Sequence, residues 1–174
     1  MKTIEYLEWA YMSGKIKGTE STKTIEPDEN YILPFGKGNI IIEASKESIN
    51  KGKSICIVTY GMGVYWSKSA AKKFNNQIEV IDLRTIYPLD QKMINERVKL
   101  HGKCIVLSEE PTNSSFAQSL ASKISQECFN HLDSAVQVVG SETLPAIPLN
   151  SILEKRMLPS SEKVELEIRK ILAV

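Results

Sequence analysis

Short apolar runs alternate with amphipathic stretches along most of this 174-residue chain. The runs are five or six residues long and rich in β-branched residues, which is typical of strands buried on both faces of a sheet. They are NIIIE at 39–43, SICIVT at 54–59, QIEVID at 77–82, KCIVL at 103–107 and AVQVV at 135–139. This alternation restricts the chain to folds in which strands and helices are layered.

Between the runs, apolar residues recur every three or four positions, as on one face of a helix. The first stripe is Trp66, Ala70 and Phe74, and the second is Leu89, Met93, Ile94 and Val98, ending at Gly102. The third begins at a predicted capping box of Ser115 and Gln118 and runs through Phe116, Ala117, Leu120, Ala121, Ile124 and Cys128. The last opens at Pro159 and Ser160 and carries Val164, Ile168, Ile171 and Leu172.

This order predicts an α/β protein, a mostly parallel sheet with helices on both faces. The first strand is the exception, because only residues 44–53 join it to the second and they show no helical stripe. A parallel connection needs a dozen residues or more. The first strand is therefore expected to pair antiparallel or to lie at a remote edge.

The first thirty residues differ from the rest. Residues 13–30 hold only Ile16 and Ile25 as large apolar side chains, too few to form a core. We therefore expect residues 1–30 to be an N-terminal arm or interdomain linker, and residues 31–174 to be the compact domain. The arm carries Leu7, Trp9, Tyr11 and Met12, which would pack on a partner if the chain were a pure scaffold or dimerisation module.

Charge and cysteine content exclude several classes of protein. The formal net charge is +1, which disfavours a partner such as nucleic acid or an anionic membrane surface. No apolar run approaches membrane-spanning length, and residues 1–18 lack the apolar core of a signal peptide. Three cysteines without a CxxC pair indicate a reducing compartment, and we expect a cytoplasmic protein.

A glycine pair suggests one binding function. Gly61 and Gly63 follow a buried strand and open a helix, and Asp82 ends the next strand, as in a dinucleotide-binding motif. Trp66 stands where that motif needs a very small residue. A free-standing dinucleotide-binding module using Gly61, Gly63 and Asp82 is therefore the alternative function, and a tight turn with Trp66 in the core is the structural explanation.

Residues for nucleophilic or metal-dependent chemistry are sparse. His101 and His131 each lie near the end of a predicted helix, where a cationic ring would complement the helix dipole. Cys56, Cys104 and Cys128 lie in apolar segments, where a thiol stays protonated and inert. We therefore predict no catalytic and no metal-binding residue.

Three polar loops follow the ends of predicted parallel strands, where α/β sheets place ligands or partners. They span residues 82–90, 108–116 and 140–145. We expect Asp82 and Arg84 to form an ion pair and Asp90 to cap the next helix. Glu109 and Glu110 are adjacent on a strand and should point to opposite sides.

The segments IVTYGMGV, EVIDLRTIYPLD, IVLSEEPTNSSFAQSLASKISQECFNHLD and SILEKRMLPSSEKV resemble the C-terminal domain of transketolase-like thiamine enzymes. Among these enzymes, they are most similar to the beta subunit of the decarboxylating component of 2-oxoacid dehydrogenases, of the pyruvate or branched-chain type. The resemblance runs from about residue 31 to the C-terminus. DLRTIYPLD in phase with the later EEP and LP elements is its most specific part.

The resemblance implies a three-layer α/β/α sandwich with a mixed, mostly parallel five-stranded sheet whose first strand is antiparallel. It implies a non-catalytic role in subunit packing and in docking the acyltransferase core, as a homodimer or with other subunits and domains of the dehydrogenase. Thiamine diphosphate and magnesium would be bound elsewhere in the intact enzyme, because the chain has no GDG motif. The matching motif positions, candidates for an interface, are Asp82, Arg84, Pro88, Asp90, Ser108, Glu109, Pro111 and Phe116.

The chain departs from the family pattern at two places. Ser108-Glu109-Glu110-Pro111 stands where the family often has His-Glu-Ala-Pro, so an imidazole is lost. Asn113-Ser114-Ser115-Phe116 replaces a Thr-Gly-Gly-Phe element, and the loss of two glycines predicts a stiffer loop.

Overall fold

The computed structural model describes residues 3–5, 23–25 and 28–173. The chain divides into two compact units, Met1–Pro34 and Phe35–Val174. In the first unit, β1 (Thr3–Glu5) pairs antiparallel with β2 (Lys23–Ile25), and each strand is only three residues long. The four arm residues expected to pack on a partner, Leu7, Trp9, Tyr11 and Met12, lie outside the described residues.

The second unit contains a five-stranded mixed sheet. Its strands are β3 (Asn39–Ile42), β4 (Ile55–Thr59), β5 (Ile78–Asp82), β6 (Cys104–Pro111) and β7 (Gln137–Ser141). They lie in the order β3-β5-β4-β6-β7, with β3 antiparallel to β5 and every other pair parallel. The predicted mixed sheet with an antiparallel first strand is confirmed. That strand is also at an edge, and it pairs with β5 rather than with β4.

Helices cover both faces of the sheet. They are α1 (Lys46–Asn50), α2 (Met62–Ala71), α3 (Gln91–His101), α4 (Phe116–Glu127), α5 (Ser151–Met157) and α6 (Ser161–Leu172), with a 3-10 turn at Phe129–His131. One buried cluster packs α3 and α4 against the sheet, and a second packs α2 and α6 against the other face. This arrangement confirms the three-layer α/β/α sandwich.

Two short helices were not predicted. The helix α1 lies in residues 44–53, where Ser45 caps it by accepting a hydrogen bond from the Ser48 amide, 3.1 Å away. None of its residues is buried. The helix α5 follows β7 and buries only Met157. Because neither helix needs an apolar stripe, hydrophobic periodicity could not reveal them.

The ends of the longer helices follow from local chemistry. Gly102 ends α3 in the left-handed conformation at φ 66°, as its position predicted. Ser115 caps α4 through the Gln118 amide at 3.2 Å, and Ser160 caps α6. The predicted capping box is only half formed, because the Gln118 side chain accepts from the Ser114 amide instead of the Ser115 amide.

Among the described residues, no helix combines the length and the apolar character needed to cross a membrane.

Candidate functional site

The carboxyl ends of the parallel strands form one edge of the sheet, and the predicted polar loops begin at this edge. Thr59, at the end of β4, is aligned with Asp82 of β5 on one side and with Leu107 of β6 on the other. After β4 the chain therefore forms β5 on one side of β4 within the sheet, and later forms β6 on the other side. Such a reversal opens a crevice at the carboxyl edge, which is where α/β sheets bind ligands.

The loop between β5 and α3 is held by its own polar groups. An Asp82 carboxylate oxygen accepts a hydrogen bond from the Arg84 amide at 3.0 Å. The Thr85 hydroxyl donates to the Pro88 carbonyl at 2.8 Å and accepts from the Gly36 amide at 3.0 Å. The predicted Asp82–Arg84 ion pair is wrong: among the described residues the two are joined through the backbone, since Arg84 has φ 58° and its side chain is exposed.

Asp90 closes the same loop. One carboxylate oxygen accepts from the Met93 amide at 3.4 Å, which confirms that Asp90 caps α3. The other accepts from the Gly38 amide at 3.3 Å and so ties the loop to the segment before β3. The loop is thereby fixed, while Ile86 and Tyr87 point outward, and Tyr87 is 91% exposed.

The crevice between β4 and β6 is filled by side chains of the chain itself. The Tyr60 hydroxyl donates to one oxygen of Glu110 at 2.7 Å, and the Phe116 amide donates to the other at 2.8 Å. The rings of Tyr60 and Phe116 meet edge to face, 5.9 Å apart. Burial and the hydrogen bond to Glu110 raise the pKa of Tyr60 well above its usual range. The sequence did not single out Tyr60 or Glu110 as site residues.

The other predicted residues on β6 lie in different environments. Ser108 is fully buried. Glu109 is exposed and Glu110 is half-buried beneath Tyr60, which confirms that the two carboxylates point to opposite sides. Pro111 is aligned with Ser141 of β7. The β5 loop and these β6 residues are separated by β4, so they form two neighbouring groups, about 10 Å apart.

The two glycines of the dinucleotide-type turn have structural roles, Gly61 in backbone conformation and Gly63 in packing. Gly61 adopts φ 57° and precedes α2, and a Cβ on Gly63 would collide with the Thr59 hydroxyl and touch Leu107. Trp66 packs against the core between α2 and the sheet, as the structural explanation predicted. Asp82 already holds the Arg84 amide.

A buried polar chain lies at the opposite, amino end of the sheet. The Nδ1 atom of His101 is 2.8 Å from the Ser54 hydroxyl, and its Nε2 atom is 3.3 Å from a carboxylate oxygen of Glu79. Arg97 binds both oxygens of the same carboxylate. Burial raises the pKa of Glu79, but Arg97 and His101 beside it outweigh that effect, and the pKa lies below its usual range. The prediction that His101 only complements the helix dipole is wrong, because Ser54, just before β4, and Glu79 of β5 are its buried partners.

The three buried side chains Ser54, His101 and Glu79 are connected in the serine–histidine–carboxylate order of a hydrolase triad. Ser54 and Glu79 are nevertheless completely buried, and His101 is almost so. A substrate cannot reach the serine, and Arg97 neutralises the carboxylate. The arrangement therefore holds α3 against the sheet. His131 lies in the 3-10 turn after α4 rather than in the helix, and it is exposed.

The thiols and carboxylates do not form a metal site among the described residues. Cys56, Cys104 and Cys128 are buried, and burial raises the pKa of each thiol, as expected for inert cysteines. No group of three or more His, Cys, Asp or Glu side chains in the described ranges is placed to hold a metal ion. At the carboxyl edge, Asp82, Asp90 and Glu110 each accept a backbone hydrogen bond that holds a loop.

Comparison with known proteins places the fold. The family model for the transketolase C-terminal domain matches residues 45–164. This chain belongs to the transketolase C-terminal domain family. A solved split-gene transketolase, described as an inactive beta4 tetramer, shares the fold of this transketolase C-terminal domain with a TM-score of 0.62 and 20% identity, over 84% of this chain and 44% of that one.

Two curated relatives are similar to this transketolase C-terminal domain. The 2-oxoisovalerate dehydrogenase subunit beta of Bacillus subtilis is 30% identical over 83% of this chain and 43% of its own length. The pyruvate dehydrogenase E1 component subunit beta of Rickettsia conorii is 36% identical over 86% of this chain and 42% of its own length. The chain thus spans less than half the length of these relatives.

Proposed function

We propose that this chain is the non-catalytic C-terminal assembly domain of a thiamine diphosphate-dependent 2-oxoacid dehydrogenase. The intact enzyme would decarboxylate a 2-oxoacid oxidatively and transfer the acyl group to lipoyl groups. The proposal is supported by similarity to the beta subunits of two such dehydrogenases. Residues 45–164 match the C-terminal domain alone, so the chemistry is assigned to other domains or subunits.

One structural observation carries the assembly role. At the carboxyl edge, the carboxylates of Asp82, Asp90 and Glu110 all accept backbone hydrogen bonds. The loops that they hold leave large apolar side chains in solvent, Tyr87 among them. Polar groups used to fix loops, together with exposed apolar side chains, favour a surface that binds another protein over one that performs chemistry.

The partners follow from the same assignment. Other domains or subunits of the dehydrogenase would pack on this domain, as would a second copy, and the acyltransferase core would dock on the assembled enzyme. Thiamine diphosphate and magnesium would supply the decarboxylation chemistry from the domains that hold them. The interface candidates at the β5 and β6 ends, Asp82, Arg84, Pro88, Asp90, Ser108, Glu109, Pro111 and Phe116, remain predictions.

The proposal is tested by an assay of carbon dioxide release. The purified chain is incubated with pyruvate or 2-oxoisovalerate, thiamine diphosphate, magnesium and an artificial electron acceptor. It should release no carbon dioxide. A tagged chain expressed in its source cells should co-purify with a protein that carries a GDG motif, identified by mass spectrometry, and the eluate should decarboxylate one of the two substrates.

The matched control is the same tag without the chain. Carbon dioxide release by the chain alone would overturn the non-catalytic role. An eluate without decarboxylase activity and without a GDG-containing partner would overturn the assembly role.

A further inference from the structure

Two neighbouring segments at the carboxyl edge present large apolar side chains to solvent. Phe35 precedes β3 and is 81% exposed, and Ile86 and Tyr87, in the loop between β5 and α3, are 47% and 91% exposed. All three belong to the second compact unit. We call the surface formed by residues 35–37 and 84–88 the loop face. Exposed apolar side chains grouped in this way favour a surface that binds another molecule.

Hydrogen bonds hold the two segments of the loop face side by side. The Gly36 amide donates to the Thr85 hydroxyl at 3.0 Å, and a Cβ on Gly36 would be only 3.2 Å from the Pro88 ring. The Thr85 hydroxyl donates in turn to the Pro88 carbonyl at 2.8 Å. Phe35 and Tyr87 are therefore carried on one connected backbone. A surface whose backbone is already ordered loses little conformational entropy on binding.

The loop face carries two cations and no anion. Lys37 and Arg84 are exposed, and neither side chain forms a hydrogen bond or an ion pair with another described residue. Residues 35–38 and 83–89 contain no aspartate or glutamate, and the flanking carboxylates of Asp82 and Asp90 accept backbone hydrogen bonds. The two cations are therefore available to the carboxylates of a partner.

Arg84 has a backbone conformation that is unfavourable for an arginine. Its φ is 58°, in the left-handed region, and the Asp82 carboxylate accepts its amide hydrogen bond at 3.0 Å. A glycine adopts this conformation without the steric cost of a Cβ. Among the described residues, the guanidinium makes no hydrogen bond or ion pair that would offset this cost. Strained positions concentrate at binding sites, which directs attention to the guanidinium as a group that binds a partner.

We propose that the loop face binds an acidic segment of a partner protein, one in which aspartate or glutamate side chains flank an apolar residue. The guanidinium of Arg84 can bind a carboxylate through two parallel hydrogen bonds, and Lys37 adds a second positive charge. Tyr87 and Phe35 supply apolar contact area, and tyrosine and arginine are enriched among the residues that dominate interface energies. The inference rests on the assembly role proposed above and gives the chemistry of the partner.

A second copy of the chain and a lipid surface fit the loop face less well. Two copies that met here would bring like charges together, which is unfavourable. Recognition of anionic lipid typically uses clusters of about four to eight Lys and Arg side chains. The loop face has two, and the formal net charge of the whole chain is +1. Charge complementarity therefore selects an acidic protein segment.

Photo-cross-linking in the source cells tests the inference. The tagged 174-residue chain carries Tyr87→p-benzoylphenylalanine, which keeps an aromatic ring at this exposed position. After irradiation, the cross-linked peptide is sequenced by mass spectrometry. It should come from another protein, contain more Asp and Glu than Lys and Arg, and include an apolar residue. The control carries Phe129→p-benzoylphenylalanine, since Phe129 is 74% exposed outside the loop face and should not capture this peptide.

Binding of the captured peptide then measures the contribution of Arg84. The synthetic peptide carries fluorescein, and its anisotropy is followed as the chain is added. Arg84→Ala and Arg84→Gly should each weaken binding at least about tenfold. Arg84→Gly should also unfold at or above the wild-type temperature, because glycine relieves the left-handed strain. The matched control is Arg156→Ala, which removes an exposed arginine outside the loop face and should leave Kd unchanged.

Several results would overturn the inference: no adduct, a lipid adduct, a peptide of this chain itself, a neutral or basic peptide, or wild-type affinity in Arg84→Ala. The proposed function fails separately. An acidic peptide from a protein unrelated to dehydrogenases would support the loop face and contradict the assignment to a dehydrogenase. A basic peptide from a protein with a GDG motif would contradict the loop face and support that assignment.

Discussion

Glu79 lies wholly inside the protein, and its carboxylate is bound by Arg97 and contacted by Nε2 of His101. A carboxylate that leaves water loses several kcal/mol of hydration free energy, and opposite charges and hydrogen bonds must offset the loss. The same contacts join α3 to β5 and to the residue that precedes β4, because Ser54 is bound to His101. A single residue here therefore affects the attachment of a whole helix.

Replacing Arg97 tests this dependence. Arg97→Ala leaves the buried carboxylate of Glu79 with only His101 beside it, and we expect the free energy of unfolding to fall by about 3 kcal/mol at pH 7. We choose the lower end of the usual range because the Arg97 side chain is partly exposed. Urea unfolding measures the change. The control is Lys51→Ala, which removes an ion pair with Glu47 that is exposed on both sides and should cost well below 1 kcal/mol.

The loss in free energy of unfolding caused by Arg97→Ala should depend on pH. The pKa of Glu79 lies below its unfolded value of about 4.3, so its contribution to stability is present above that pH and is lost as the pH falls through the folded pKa. In the variant, burial raises the pKa of Glu79, and the folded state takes up a proton more readily. The stability difference should therefore shrink between pH 7 and pH 3. An unchanged difference would contradict the assignment.

Some of these residues could be recognised from the sequence and others could not. Asp90 was predicted as a cap because capping is local, and its bond to the Gly38 amide was not, since the two residues lie far apart in the chain. Glu79 is an acid inside an apolar strand, which indicates a buried partner but does not identify it. Its partners Arg97 and His101 come from a helix that periodicity located correctly.

At the scale of elements, the contact between α2 and β4 depends on one glycine. Gly63 lies against the Thr59 hydroxyl and Leu107, where a Cβ would collide with the strand. Alanine is otherwise favoured over glycine within a helix by about 1 kcal/mol. The close approach explains why a sequence typical of a dinucleotide turn serves helix packing here.

Gly63→Ala tests this packing role. The added methyl should displace α2 from the sheet and lower the free energy of unfolding by about 1–3 kcal/mol, as overpacking does. Ser69→Ala, on the exposed face of the same helix, is the control and should change it by no more than about 0.5 kcal/mol. Thermal or urea unfolding of the two variants measures the difference. A Gly63→Ala protein more stable than the wild type would show that the contact between α2 and β4 can accept a Cβ at this position.

Most of the elements that the sequence predicted bury apolar residues at a regular spacing, and the edge strands β3 and β7 hold partly buried ones. The strands β4 and β5 and the helices α3, α4 and α6 all do so. The missed helix α1 buries nothing, and β6 extends four residues beyond its apolar run because Ser108–Pro111 continue toward β7. The hydrophobic pattern could not predict the order of the strands in the sheet, since nothing in the sequence of β3 indicates that it pairs with β5.

At the scale of the whole molecule, the two ends of the sheet differ. The amino end is sealed by the buried chain of Ser54, His101 and Glu79. The carboxyl end fills its own crevice with Tyr60, Glu110 and Phe116 and exposes apolar side chains from the surrounding loops. The assembly role that we propose would use these exposed side chains at the carboxyl end.

A titration with NAD and NADP decides between this description and a dinucleotide-binding module. The packing of Gly63 and the bond from the Arg84 amide to Asp82 lead us to expect no change in melting temperature. A real site, at a ligand concentration of about 100 times Kd, would add about 2.7 kcal/mol of stability. In a chain of this length that is a rise of about 5–10 °C. Such a rise, removed by Asp82→Asn and retained in Asp90→Asn, would contradict the packing explanation and make the turn at Gly61 a binding site.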